Sequence, residues 1–157
     1  MEDALRADDF SEKKRYPVWL QCSSEDGFTY KDYLSWDNDI RVELVNGFVY
    51  MMSGASEQHQ DLVLDFGSQL KIFLKDKPCK VFIAPFDVRL FPEADAKDKT
   101  VVQPDILVVC DKEKLSDGKA CKGAPDFIIE IMSDNSEAHD RITKKNYMKR
   151  QTLKNIG

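Results

Sequence analysis

Two acidic side chains lie in apolar stretches, where an ionised carboxylate is costly unless it has a partner. Glu130 belongs to Asp126-Phe-Ile-Ile-Glu-Ile-Met-Ser133, and alternation along a strand would flank it with Ile128 and Met132 on one buried face. Asp105 follows a proline, which belongs at the start or edge of a strand, and opens the apolar run Ile-Leu-Val-Val-Cys. If the two strands are neighbours, both carboxylates would meet at one point.

A divalent cation would relieve the repulsion between two such carboxylates. Mg²⁺ suits this arrangement because it takes one or two protein carboxylates and keeps its waters for a substrate phosphate. The same residues also fit a simpler interpretation, in which Asp105 begins a strand and Glu130 forms a salt bridge. By themselves, the two residues leave a metal site and a structural role both open.

The composition predicts a globular protein. The chain has 157 residues, of which 42% are hydrophobic and 32% charged. Its net charge is −5, so contact with nucleic acid would need a local basic face. The first ten residues lack the apolar run of a signal peptide, and no stretch approaches the roughly 20 apolar residues of a membrane span. We therefore expect a cytoplasmic protein that does not enter a membrane.

The cysteines and histidines argue against a zinc centre. The four cysteines are far apart and form no Cys-x-x-Cys pair, and the chain has only two histidines, His59 and His139. Reduced thiols are the expectation for a cytoplasmic protein with this pattern.

The pattern of apolar and turn-forming residues predicts an α/β protein with a mixed central sheet. We expect a polar N-terminal arm over residues 1–25 and a single domain over 26–157. Thr29 is a candidate N-cap for a short helix that ends at Trp36, and Asn46-Gly47 suits the turn of a β-hairpin between 41–45 and 48–52. A long helix is predicted over 56–75, with one apolar stripe formed by Leu62, Phe66, Leu70, Phe73 and Leu74.

The second half of the chain is richer in strands. Residues 79–91 predict one or two strands, and 91–100 a charged turn. Residues 101–110 and 126–133 predict two further strands, separated by a polar loop that contains Gly118 and Gly123. Residues 136–150 predict a final helix.

Several ordered motifs resemble the Uma family of restriction endonucleases, within the PD-(D/E)XK nuclease superfamily. They span roughly residues 28–145, and comprise Glu43-Leu-Val-Asn-Gly47, Met52-Ser53, His59, Val102-Gln-Pro-Asp-Ile106, Gly123-Ala-Pro-Asp-Phe-Ile-Ile-Glu-Ile-Met-Ser133, Asp140 and Lys144. The resemblance implies a restriction-endonuclease-like fold, a central mixed sheet flanked by helices. It also implies hydrolysis of DNA phosphodiester bonds with Mg²⁺ or Mn²⁺.

The resemblance also suggests roles for individual residues. Asp105 and Glu130 match the two acidic metal ligands, and Glu43 matches a position that would add a further ligand. The superfamily's usual lysine position is Met132 here, and the family's lysine, four residues after an Asp, corresponds to Lys144.

Some of these roles have alternatives. Lys144 fits an ordinary surface pair with Asp140 equally well, and the adjacent Lys145 would serve the same role. His59 would lie near the phosphate, or would face solvent or a neighbouring residue at the start of the long helix. Gln103, two residues before Asp105, is an additional candidate for the site.

The C-terminal residues depart from the family pattern. In place of a Val-Lys-Glu-Tyr-Trp-like segment and a last strand, the chain reads Asn146-Tyr-Met-Lys-Arg-Gln-Thr-Leu-Lys-Asn-Ile-Gly157. One permitted codon set for this tail, read after two bases are discarded, gives Leu-Tyr-Glu-Lys-Ala-Asn-Val-Lys-Glu-Tyr-Trp. The hypothesis is a frameshift near Lys145, with the final strand missing; the coding DNA tests it. An uncovered sheet edge would favour a homo-oligomer.

Two classes of function follow from these residues. The leading hypothesis is a Mg²⁺-dependent DNA endonuclease. The alternative is a non-catalytic module of the same fold that binds nucleic acid or a protein partner. A nuclease for RNA or branched DNA would use the same site, so the sequence does not separate it from the first hypothesis.

Overall fold

The computed structural model describes residues 27–36, 41–52 and 54–132. In chain order the elements are α1 (Tyr30–Tyr33), β1 (Val42–Val45), β2 (Phe48–Met51), α2 (Glu57–Phe73), β3 (Lys80–Ile83), β4 (Asp87–Arg89), β5 (Val101–Val102), β6 (Ile106–Val109), β7 (Ala120–Lys122) and β8 (Phe127–Ile129). Two short 3-10 segments occur at Ala94–Ala96 and Lys112–Leu115. Within these ranges, no helix has the length and apolar character that crossing a membrane requires.

The chain forms two compact units, which we describe separately. Of the described residues, the first comprises 27–36, 41–52 and 91–102, and the second comprises 54–90 and 103–132. The N-terminal arm, the helix predicted over 136–150 and the unusual tail lie outside the described residues. The single-domain organisation stays a prediction.

Local sequence signals build the first unit. Thr29 caps α1 in a capping box, because its hydroxyl accepts from the backbone of Asp32 while the Asp32 carboxylate accepts from the Thr29 backbone. β1 and β2 form the predicted antiparallel hairpin, in which Asn46 and Gly47 both have positive φ angles of 52° and 83°. β5 pairs antiparallel with β1 through Val101 and Leu44.

The core of the first unit is aromatic and aliphatic. The Phe28 and Trp36 rings pack edge to face with centroids 5.3 Å apart, and Leu44, Val49 and Val101 are fully buried beside them. The backbone of Phe28 donates to the Gly47 carbonyl at 3.0 Å, which ties the entrance of α1 to the hairpin turn.

The second unit contains a three-stranded antiparallel sheet with β6 at its centre. β3 pairs with one edge of β6 and β8 pairs with the other. All four residues of β6 are buried, as expected for the central strand of a covered sheet. β4 and β7 form a separate parallel pairing in the same unit. Parallel and antiparallel pairings therefore coexist, which confirms the predicted mixed α/β class.

The long helix forms where expected, but it faces the sheet differently. Ser56 is its N-cap, and its hydroxyl accepts from the His59 backbone. The buried positions are Val63 and Gly67, and a Cβ atom at Gly67 would lie only 3.1 Å from Cγ2 of Ile83. Phe73, a member of the predicted stripe, is 71% exposed. The prediction that this apolar stripe faces the core was therefore wrong. The side of α2 that contacts β3 is the adjacent one, which carries Val63 and Gly67.

Several predicted elements are shorter or more numerous than the sequence indicated. The strand expected over 101–110 divides into β5 and β6, which are separated at Gln103–Asp105, where proline interrupts hydrogen bonding. The strand expected over 126–133 is limited to the three residues of β8. The polar loop between them contains β7, which the pattern did not predict because Ala-Cys-Lys lacks β-branched residues.

Two of the thiols expected to be reduced are oxidised. Cys79 and Cys110 form a disulfide, and the paired register of β3 and β6 explains it, since their neighbours Lys80 and Val109 lie directly opposite each other. Cys121 is a free buried cysteine, as expected. The prediction was wrong because strand pairing brings together residues that are remote in sequence.

Candidate functional site

Asp105 occupies the turn that leads into β6. Its backbone carbonyl accepts from the Ala84 amide at 3.0 Å, which fixes the turn against the chain that follows β3. Its side chain is only 15% exposed, and Oδ2 accepts a 2.8 Å hydrogen bond from the backbone amide of Ile131. The same oxygen lies 3.1 Å from Nε2 of His59. Oδ1 makes no hydrogen bond to the residues described.

Glu130 lies beside Asp105 by the register of the sheet. β6 and β8 pair antiparallel with Ile106 opposite Ile129, so one further step places Asp105 opposite Glu130. Directly opposite residues of antiparallel strands point to the same face, with Cβ atoms roughly 5 Å apart. The condition that the two predicted strands are neighbours is therefore met.

The expected burial of Glu130 was wrong. Glu130 directly follows β8 and is exposed, and its strand neighbours Ile128 and Ile129 are only half-buried. An exposed carboxylate carries no desolvation cost that would demand a cation. The case for a shared site therefore rests on the register of β6 and β8 and on the hydrogen bonds to Asp105.

His59 reaches Asp105 from the first turn of α2. The N-cap interaction with Ser56 fixes the backbone at this point, where the His59 amide donates to the Ser56 hydroxyl at 3.2 Å. The imidazole is 14% exposed, and its Nδ1 is buried without a hydrogen-bond partner in the part of the chain that the structure describes. An ionised carboxylate only accepts hydrogen bonds, so the contact requires the proton on Nε2.

The donor chemistry at this point is oxygen-based. Asp105 and Glu130 offer carboxylate oxygens, which are the ligands that Mg²⁺ and Mn²⁺ take in proteins. Within 27–36, 41–52 and 54–132, no group of three or more His, Cys, Asp or Glu side chains is arranged around a common point. A Mg²⁺ ion held by two carboxylates needs no such group, because water and substrate complete its coordination.

Two ionisable groups away from Asp105 have shifted pKa values. Burial raises the pKa of the Cys121 thiol to about 11. The pKa of Asp117 is lowered: partial burial opposes this change, but hydrogen bonds from the backbones of Lys119 and Ala120 and the nearby Lys122 ammonium outweigh it. Both groups belong to the segment around β7, where the Asp117 carboxylate accepts from the backbone of the turn that leads into the strand.

Comparison with known proteins identifies the family. A family model described as "Uma2: Putative restriction endonuclease" matches residues 30–154. The chain belongs to the Uma2 family. This membership confirms the resemblance found in the sequence motifs.

Individual relatives extend the comparison. The crystal structure of "a putative nuclease belonging to DUF820" from Anabaena variabilis ATCC 29413 matches with a TM-score of 0.62 and 15% identity. The match covers 79% of this chain and 69% of that one, and it shows a shared nuclease-like fold. The uncharacterized protein sll1609 of Synechocystis sp. is 24% identical over 105 residues, 66% of this chain. The match covers 56% of that relative, so this chain spans little more than half its length.

The other predicted site residues of this Uma2 chain are distributed as follows. Glu43 is buried on β1, in the first unit, opposite Tyr50 of β2. Gln103 is buried in the second unit, and its side-chain amide donates to Oδ1 of Asp87 at 2.9 Å. Lys144 and Lys145 lie outside the described residues, so the choice between them stays open.

Sequence reasoning named His59 as a candidate but not its partner, and it did not name Asp87. The contact of His59 with Asp105 joins a helix start to a strand start 46 positions later, and no local pattern indicates such a pairing. Asp87, the partner of Gln103, begins β4 in the segment Phe-Asp-Val-Arg-Leu. The alternation of charged and apolar residues in this segment predicts a strand. It gives no sign that the Asp87 carboxylate accepts a hydrogen bond from Gln103, two residues before Asp105.

Proposed function

We propose that this Uma2 protein is a metal-dependent endonuclease that hydrolyses phosphodiester bonds of DNA with Mg²⁺ or Mn²⁺. The observation that carries the proposal is the environment of Asp105. One oxygen of its carboxylate is held by two donors, whereas the other makes no hydrogen bond to the described residues. Extension of the β6–β8 register places Glu130 opposite Asp105. Membership of a nuclease family supports a nucleic acid as the substrate.

Some of the residues would bind the cation, and others would stabilise the negative charge that develops on the phosphate. Asp105 and Glu130 would hold the cation through carboxylate oxygens. When bound, the cation would polarise the scissile phosphate and lower the pKa of a coordinated water. Lys144 would stabilise the negative charge that develops on the phosphate, or help to deprotonate the attacking water; Lys145 is its alternative.

The position of Asp105 explains why it is suited to this role. Its backbone is fixed by Ala84 and its Oδ2 by Ile131 and His59, so the carboxylate is oriented before any ligand arrives. A ligand that is already oriented loses less conformational freedom on binding than a mobile one.

The first test is cleavage of supercoiled DNA in the presence of Mg²⁺ by the full chain and by Asp105→Asn and Glu130→Gln. We expect both variants to lose cleavage while they retain the circular dichroism spectrum of the unmodified protein, because each substitution removes a charged ligand and keeps the shape. Glu113→Gln is the matched control, since Glu113 is an exposed carboxylate in the 3-10 segment. Cleavage that persists in EDTA, or in Asp105→Asn, contradicts the proposal.

Calorimetric titration separates the enzyme from the alternative, a non-catalytic module. The enzyme requires a Mn²⁺ site that depends on Asp105, whereas a binding module does not. Parallel assays with RNA and with branched DNA decide the substrate class.

A cytoplasmic location and self-association are further expectations, which fractionation and sedimentation velocity test directly.

A further inference from the structure

The contact between His59 and Asp105 determines which carboxylate oxygen of Asp105 is available to bind a cation. Nε2 of His59 and the backbone amide of Ile131 both contact Oδ2 of Asp105, at 3.1 Å and 2.8 Å respectively. Two donors on one oxygen leave its lone pairs engaged and prevent the carboxylate from rotating. Oδ1, without a hydrogen bond among the described residues, is the oxygen with lone pairs available.

We infer that His59 is a positioning residue which, with the Ile131 amide, holds Asp105 so that Oδ1 alone is presented to a divalent cation. This inference rests on the proposed function, because it assigns a role toward the cation that Asp105 would bind. His59 itself is not a ligand in this arrangement, since its Nε2 faces the carboxylate and its Nδ1 is buried.

The burial of Nδ1 supports a specific role for the imidazole. A buried polar atom without a hydrogen bond, such as Nδ1 of His59, is unfavourable. If the imidazole served only for packing, an apolar side chain could take its place at no cost in stability. What the imidazole adds here is a single N–H directed at Oδ2. Hydrogen bonds of this kind orient metal ligands, and their removal typically weakens metal binding roughly 10- to 100-fold.

The experiment compares Mn²⁺ affinity by calorimetry for the full chain and four variants. Asp105→Asn removes the ligand, His59→Leu removes the donor, and His59→Gln retains an N–H of similar reach. Gln69→Leu, at an exposed position of the same helix, is the matched control. We expect His59→Leu to raise the Kd roughly 10- to 100-fold, His59→Gln to recover most of the affinity, and Gln69→Leu to leave it unchanged.

The outcomes separate a failure of the proposed function from a failure of the role assigned to His59. If the unmodified chain shows no Mn²⁺ binding that depends on Asp105, the proposed function fails and this inference fails with it. If Asp105→Asn abolishes binding but His59→Leu retains full affinity, only the positioning role of His59 is wrong.

A second measurement covers the case in which His59→Leu does not fold. Long-range ¹⁵N–¹H spectra of histidine-labelled protein, recorded without metal, report which ring nitrogen carries the proton. We expect the Nε2–H tautomer for His59, and the free rings of an unfolded sample provide the reference. A proton on Nδ1 with an unprotonated Nε2 would overturn the inference, because no donor would then face Asp105.

Discussion

At Asp105 the two oxygens of one carboxylate are chemically different. Oδ2 accepts from Ile131 and lies against His59, whereas Oδ1 has neither contact. The asymmetry arises from three segments that meet at one turn: the start of α2, the start of β6 and the residues after β8. No one of these segments would orient the carboxylate alone, so Asp105 depends on the fold for its chemistry.

A second residue-scale effect concerns Cys121, whose buried thiol has its pKa raised to about 11 from an ordinary 9.0. Folding thus favours the protonated thiol, and the stability this contributes is fully present below pH 9. As the pH rises from 9 toward 11, the unfolded chain ionises first and the contribution is lost. We expect the free energy of unfolding to fall over this window by an amount on the order of 2 kcal/mol.

The measurement is urea unfolding at a series of pH values between 8 and 11, for the unmodified chain and for Cys121→Ala. The difference between the two curves isolates the thiol from the lysines and tyrosines that titrate in the same range. A difference that does not change across this window would show that the Cys121 environment does not favour the neutral thiol.

Residues of the candidate site were predictable to different degrees. Asp105 and Glu130 could be named because one opens an apolar run and the other interrupts one, and the pairing of β6 with β8 makes their strands neighbours as the sequence argument required. The burial of Glu130 could not be judged, since an apolar run of this length does not reveal where pairing ends. The partners of Asp105 come from segments remote in sequence, and only the folded chain brings them together.

At the scale of elements, α2 shows how periodicity can identify a helix and yet leave its orientation undecided. The consecutive residues Leu62, Val63 and Leu64 are all apolar, so more than one stripe of the helix could face the sheet. The structure selects Val63 and Gly67, because the absence of a side chain at Gly67 lets the helix approach Ile83 closely. The Thr29 cap and the Asn46-Gly47 turn were easier to predict, since each depends mainly on the conformation of its own short segment.

A pair of substitutions on α2 tests this orientation. Val63 is 5% exposed, whereas the adjacent Leu64 is 63% exposed. We expect Val63→Ala to lower the free energy of unfolding by about 2 kcal/mol, because two buried methyl groups are removed at roughly 0.8 kcal/mol each and a small cavity remains. Leu64→Ala serves as the control and should change it by less than about 0.5 kcal/mol. Chemical denaturation measures both, and equal costs would contradict the observed packing of the helix.

For the molecule as a whole, charge sets the conditions for contact with nucleic acid. The net charge is −5, and two carboxylates at the candidate site add local repulsion toward phosphate. Binding of DNA at this point requires that a cation neutralise part of the charge or that a basic face lie nearby. The net charge itself repels phosphate, so attraction would have to come from such a cation or a local basic face.

The disulfide between Cys79 and Cys110 means that the polypeptide would stay in one piece after a single backbone break between them. Residues 91–95 lie inside this closed loop and are exposed, so a recognition sequence for a specific protease inserted at Asp95 would be accessible. After cleavage, we expect one band in electrophoresis without reductant and two bands with it. Cys110→Ser should give two bands under both conditions. The covalent connectivity of this protein is thus a ring with two tails, and a cut chain would keep β3 and β6 tethered to each other.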